Sequence, residues 1–463
     1  MARFTEWWLL TLAGCAATLV PRLAQRGMFL DGVTYASIAR NLAEGRGRFW
    51  EPFYTATIYP AFHEHPPLAF WLQSMWFRVL GDHWFVERAY CLAAAILIAV
   101  LIAVTWRAVE RDGNSWLPIA LWMLAPVVSW SIVGNLLETT VCLFVTAAVA
   151  LVAVCRRSIA VAIVGGVGSG LSIVAAVLSK GPVGFFPLAA PVILTMLRDR
   201  RRTAVWSAAA QWTTVALCAL ALYAMPAAHD SLAKYIAQQI VAALSGRREV
   251  SDSSFTILIA LVQGVWLPMG LAIAAIVAGA RGWMRPAPED RQVAIAFTLI
   301  GLAGTLPMLV SPKQTGHYLM PAVPFYAIGA AAFVARTMDA FARRVADSRG
   351  ARTLRILSAV IAVGTVVAIW LPAVERDPAR LADLDRLAPA APRGETVGIC
   401  PSSNADWLLH AWMQRRFQVS LDASDPGAHE WFLARIDDAS DCRPRACAAA
   451  SAGGGELMMM RCR

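Results

Sequence analysis

A chain of 463 residues that is 58% hydrophobic and 16% charged, with a mean hydropathy of +0.54, is excluded from the ordinary soluble class, in which about a quarter of residues are charged. The net charge of +10 would suit nucleic acid. The arginines lie between long apolar runs, however, a pattern of membrane topology rather than of nucleic-acid binding. The runs are continuous rather than alternating, so they read as membrane helices, in which every backbone group is satisfied within the segment.

The first run, Trp7–Val20, follows a short start containing Arg3. Leu12-Ala13-Gly14-Cys15 imitates a lipoprotein cleavage site, but the apolar stretch before it is short for a signal peptide, so it reads as an uncleaved span. Further spans are expected at 86–106, 116–133, 139–155, 158–178, 183–197, 204–225, 255–280, 292–310, 318–335 and 356–372, about eleven in all. Between the first two spans lies a loop, 24–85, in which the stretch Asp31–Leu72 mixes acids, histidines, arginines and aromatics. A helix-like segment, Tyr35–Glu44, ends there at Gly45. His63-Glu64-His65-Pro66-Pro67 closes the stretch, and the prolines fix the angle at which the preceding polar residues are presented.

Charge orients the bundle. With a cytoplasmic N-terminus, the loops 107–113, 156–157, 198–202, 281–291 and 336–355 fall on the cytoplasmic side and carry 17 arginines. The short opposite loops 134–138, 179–182 and 311–317 carry only Lys180 and Lys313 as cations. Positive charge marks the cytoplasmic side. The Asp31 loop, the loop 226–254 and the tail then share the other face with both lysines.

After residue 373 the composition becomes that of a small extracytoplasmic α/β domain, 374–463. Glu395–Cys400 and Glu430–Ile436 read as strands, Asn404–Phe417 as a helix, and Ser451–Gly455 as a turn before Glu456–Cys462. Cys400, Cys442, Cys447 and Cys462 all fall in this tail and suggest two disulfides in one of three pairings.

The candidate residues each carry two readings. Asp31 is either a functional carboxylate near a membrane helix end or an acid capping the helix Val33–Glu44. His63, Glu64 and His65 hold ligand atoms for a divalent metal, the one cofactor left open, or form a structural, lipid-contacting turn. Lys180 in LSKGP and Lys313 and Tyr318 in SPKQTGHYLMPAVP stand at span ends, where a lysine otherwise snorkels to the interface. With Arg88 at the start of the second span and Arg247-Arg248 in the loop 226–254, they form a set of cations suited to an anionic lipid phosphate.

HEHPPLAFWL, FRVLGDHWFVERAYCLAAA, LSKGPVGFFPL and SPKQTGHYLMPAVPFYAIGAA, in this order, resemble the GT-C superfamily of polyprenyl-phosphate-sugar glycosyltransferases. Within it they are most similar to bacterial lipid A aminoarabinose transferases and protein O-mannosyltransferases, over roughly residues 5–335. The resemblance implies an all-α polytopic GT-C membrane domain, 1–373, in the bacterial inner membrane. It implies a sugar donor on undecaprenyl phosphate, transfer on the periplasmic face, and a catalytic acid at the start of the first outer loop, which Asp31 matches. The family's second acid is Gly32 here, its following basic residue Thr34, and its lysine before the two prolines His65. Its aspartate between the third and fourth spans has Glu138 as the nearest match.

The resulting expectation is an inverting glycosyltransferase. Its donor phosphate is expected among Lys180, Lys313, Tyr318, Arg88 and Arg247, with Asp31 acting on the acceptor, a lipid A or other surface lipid or glycan. A polyprenyl-lipid flippase and a protein O-mannosyltransferase-like enzyme are the alternatives. Polar residues gathered at the interfaces rather than at the bilayer midplane weigh against the transporter.

Overall fold

The computed structural model describes residues 5–110, 115–197, 201–247, 253, 255–280, 287–345, 348–371, 375–436, 438, 442, 447–450 and 455–462. Arg111, Arg248, residues 198–200 and 281–286 of the arginine-rich loops, and 451–454 of the expected turn lie outside them. The chain folds as two compact units. One comprises Met1–Leu23, Glu64–Ala69 and Ala89–Trp370; the other comprises Ala24–His63, Phe70–Arg88 and Leu371–Arg463. Most of the first loop thus belongs with the tail, through contacts more than three hundred residues apart in sequence.

The first unit is helical. Among the described residues seven helices are long and apolar enough to cross a membrane: Val86–Val109, Leu137–Val154, Ile159–Lys180, Arg201–Ala224, Pro288–Val310, Gly316–Val345 and Arg349–Ala368. Trp116–Met123 and Pro126–Val133 make an eighth if taken as one span bent by 73°. Pro126 stands at the break and cannot donate the hydrogen bond that would continue the first helix. The other three expected spans differ in kind. Thr5–Leu23 is a helix whose apolar run is diluted by Glu6, Pro21 and Arg22. Thr256–Ala280 is a helix of 25 residues. Pro182–Met196 is a short, mostly 3-10 segment, because Pro182, Pro187 and Pro191 remove donors an α-helix needs.

Neighbouring helices approach closely where small residues face each other. A Cβ on Gly166 would lie 2.4 Å from the Ser207 carbonyl oxygen, so Ile159–Lys180 and Arg201–Ala224 pack backbone to backbone. Gln211 Nε2 donates to Ser169 Oγ at 2.7 Å across this interface.

The second unit contains a two-residue hairpin, β1 (Gly47–Arg48) and β2 (Glu51–Pro52), and a five-stranded sheet. The sheet has the order β4 (Ser420–Asp422), β3 (Thr396–Ile399), β5 (Trp431–Arg435), β7 (Leu457–Cys462), β6 (Cys447–Ala449). β3 runs parallel to β4 and β5, while β7 is antiparallel to β5 and β6. The helices Pro378–Leu387 and Trp407–Phe417 cover it, the second capped by Asp406 Oδ1, which accepts from Leu409 N at 3.0 Å. Their core of Leu381, Leu384, Leu409, Met413 and Phe417 also takes in Met28 and Val33 of the first loop.

Of the three pairings open in sequence, the structure has Cys400–Cys442 and Cys447–Cys462. Each closes a loop in a domain with a small core of its own. Non-reducing peptide mapping of the purified protein is expected to recover these two linked pairs; free thiols at the four positions would contradict it.

Candidate functional site

In the first unit three of the sequence-selected residues, Glu138, Lys180 and Tyr318, meet at helix ends. Glu138 lies in the first turn of Leu137–Val154, and Lys180 is the last residue of Ile159–Lys180. These two helices are consecutive and joined by a short connection, so the start of one stands beside the end of the other. A carboxylate at a helix N-terminus and an ammonium at a C-terminus are both favoured by the helix dipoles. The two side chains form an ion pair, with Glu138 only 1% and Lys180 12% exposed. A buried pair is costly to break, because removing one partner strands the other charge.

Three further elements enclose it. The Lys180 ammonium sits over the Tyr318 ring, 4.8 Å from its centroid. His317 Nε2 stands 3.5 Å from Glu138 Oε1 and 3.2 Å from Thr315 Oγ1, and its ring packs against Trp130 at 5.3 Å. Tyr235 Oη donates to the Lys180 carbonyl at 2.9 Å. The next residue, Gly181, has φ +104°, and a Cβ there would fall 1.9 Å from Tyr235 Oη. Only glycine permits this tyrosine to hold the lysine's backbone. Glu138 Oε2 is buried with no hydrogen-bond partner among the described residues, a costly condition that a bound polar group would relieve.

Lys313 lies in a turn held by its neighbours. Its carbonyl accepts from Ser311 Oγ at 3.0 Å, and Gln314 ties the turn to Ile257 N at 2.9 Å. The three loops that charge counting assigned to one face thus supply Glu138, Lys180 and His317 to one cluster. Tyr318 and Glu138 both contact Lys180. Arg247 stands apart and exposed, its Nε donating to Ser245 Oγ at 2.9 Å. Arg88, expected among the phosphate contacts, belongs to the second unit and is 4% exposed. Its guanidinium donates to the carbonyls of Trp84 at 2.9 Å, Arg26 at 2.8 Å and Gly27 at 3.0 Å. It clamps the start of the first loop.

Asp31 lies within the helix Leu30–Ala43 rather than capping a helix from Val33. The N-cap is Phe29, with no side-chain cap, and Asp31 is a half-buried acid of the first turn, where the dipole favours it. His63 falls in the second unit, Glu64 and His65 in the first. Among the described residues no three His, Cys, Asp or Glu side chains form a group that could hold a metal ion. The His63-Glu64-His65 turn is therefore not part of any such group among the described residues.

Sequence reasoning passed over His317, Trp130 and Tyr235. His317 stood inside the motif SPKQTGHYLMPAVP, four residues after Lys313; Tyr235 carried no signal, because its partner is a backbone carbonyl.

The helical first unit and the α/β tail define a polytopic membrane protein with the GT-C fold. ArnT from Cupriavidus metallidurans bound to undecaprenyl phosphate superposes with a TM-score of 0.66 at 17% identity, covering 98% of this chain and 97% of that one. The apo oligosaccharyltransferase of Archaeoglobus fulgidus gives 0.58 at 13% identity, over 94% and 70% of the two chains. The same enzyme with zinc and sulfate gives 0.52 at 12% identity, over 90% and 62%. No protein-family model and no curated protein matches the sequence.

Proposed function

We propose that the protein is a bacterial inner-membrane glycosyltransferase that moves a sugar from an undecaprenyl-phosphate donor to a periplasmic-side acceptor, lipid A or another surface lipid or glycan. The observation that carries this reading is the buried Glu138–Lys180 pair, with Tyr318 and His317, at helix ends in a GT-C fold. The undecaprenyl phosphate bound to the Cupriavidus metallidurans enzyme supports the choice of lipid carrier.

Lys180 and Lys313 hold the donor phosphate and stabilise the charge that grows on it as it leaves. Tyr318 supports the Lys180 ammonium, and Glu138 is its counter-charge until the phosphate binds. Asp31 takes the proton from the acceptor hydroxyl as that oxygen bonds to the anomeric carbon. The bond from that carbon to the phosphate oxygen breaks, and undecaprenyl phosphate departs. A single displacement inverts the carbon.

Mass spectrometry of lipid A and surface glycans from cells with and without the protein tests the reading. The expected result is one sugar modification lost, with an undecaprenyl-phosphate-linked sugar accumulating in its place. Unchanged glycans and no accumulating donor would overturn it. The orientation has its own test: Arg202→Cys is expected to label from the cytoplasm and Ser245→Cys from the periplasm. Both positions are exposed, and labelling of both from one side would overturn the assignment.

A further inference from the structure

The second unit contains a buried charge network that the proposed chemistry does not use. Arg40, on the helix Leu30–Ala43, is 1% exposed. Its Nη2 donates to the Gln414 carbonyl at 2.8 Å and its Nη1 to the Arg415 carbonyl at 3.2 Å. Both acceptors lie in the last turn of Trp407–Phe417, where the helix dipole favours a cation. Arg40 also donates to Asn41 Oδ1, at 3.2 Å from Nε and 3.0 Å from Nη2, and stands 3.5 Å from Asp82 Oδ2.

Arg415 completes the network. It donates to Asp82 Oδ1 at 2.6 Å, to the His83 carbonyl at 2.9 Å and to Glu87 Oε2 at 3.0 Å. Burial pushes the Arg40 guanidinium down to about 10 against the pull of Asp82, so it stays charged at neutral pH. Burial also opposes charge on Arg415, but Glu87 and Asp82 outweigh it and hold the group above its ordinary value.

The tail grips the same helix elsewhere. Val33, seven residues before Arg40 and so on the same helical face, is fully buried in the tail's core. Asn41 Nδ2 and Gln414 Nε2 both donate to the Tyr54 carbonyl, at 3.1 and 2.6 Å. Asp31 lies nine residues before Arg40, two and a half turns away and on the opposite face. A helix held along one face by Val33 and Arg40 presents its other face at a fixed rotation.

We propose that Arg40, forked onto the Gln414 and Arg415 carbonyls, is a positioning residue that sets the rotation of the Asp31 helix and makes the tail part of the catalytic apparatus. The inference rests on the reading of Asp31 as the general base. A guanidinium is suited to the task because its planar fork reaches two carbonyls and Asn41 at once. Lysine keeps the charge and loses the fork.

The test is a double-mutant cycle in proteoliposomes, using as donor the undecaprenyl-phosphate glycolipid that accumulates in cells lacking the protein. Arg40→Lys is expected to lower kcat by roughly ten- to a hundredfold, the effect of an ångström-scale misplacement. Affinity for undecaprenyl phosphate should stay within about twofold of wild type, since the variant leaves the phosphate contacts alone. On an Asp31→Asn background the same change should cost less than about twofold more, because a residue acting through Asp31 has nothing left to position. Asp82→Asn, at a carboxylate 34% exposed, loosens the network more gently. It is expected to show the same pattern and carries the test if Arg40→Lys fails to fold. Equal losses on both backgrounds, or no loss from either variant, would overturn the inference alone. Normal turnover by Asp31→Asn would instead remove the reading on which it rests, and the inference with it.

Discussion

Asp31→Asn is expected to leave a folded protein with wild-type affinity for undecaprenyl phosphate and turnover lower by ~10²–10⁴-fold, the usual contribution of a general base. The substitution keeps the size of the side chain and removes its proton affinity. Because the helix begins at Leu30 with Phe29 as N-cap, the carboxylate does not cap it. The loss of one anion from the helix N-terminus contributes about 0.3–1 kcal/mol to the structural cost. That is small beside the tail core that buries Val33 on the same helix. Stability and turnover should thus separate cleanly. Transfer measured in proteoliposomes, beside thermal unfolding and lipid binding, reads all three. A turnover loss well under a hundredfold would indicate an acceptor whose nucleophile is already an anionic phosphate. Normal turnover would reduce Asp31 to a first-turn acid.

The membrane helices were legible because each long apolar run encodes its span independently of the rest of the chain. Hydropathy does not register hydrogen-bond donors, which is why 183–197 read as one more span while the prolines of Pro182–Met196 hold most of it in short 3-10 turns. In the tail, Glu395–Cys400, Glu430–Ile436 and Asn404–Phe417 contain β3, β5 and the helix Trp407–Phe417. β4 and β6 escaped notice because three residues are too few for alternation to show. The site was half legible. Charge segregation by itself placed the Glu138, Lys180 and Lys313 loops on one face. Which side chains then touch depends on packing: Lys180 pairs with Glu138, and His317 turns toward the same carboxylate. Arg40 was the least legible. The sequence around it gave it no role, because its partners are carbonyls some 374 residues further along.

Lys180→Met removes the charge expected to hold the donor phosphate, and the ion pair with Glu138 means that the substitution cannot be read by itself. It leaves a carboxylate that is 1% exposed without its ammonium. Stranding a buried charge in this way costs about 3–5 kcal/mol, enough to mimic a binding defect by unfolding the site. Pairing it with Glu138→Gln removes both charges and keeps both shapes, so the double variant is expected to recover most of the lost stability. Donor binding should not recover with it. One charge-assisted contact to phosphate contributes about 1.5–3 kcal/mol, which corresponds to roughly a ten- to hundredfold weaker affinity for undecaprenyl phosphate. Glu138→Gln alone releases the ammonium from its partner, so its affinity should equal or exceed that of wild type. Thermal unfolding and binding of labelled undecaprenyl phosphate to the three variants separate the two roles. A double variant that is stable and binds as tightly as wild type would leave Lys180 as the counter-charge that lets Glu138 lie buried, with the phosphate held elsewhere.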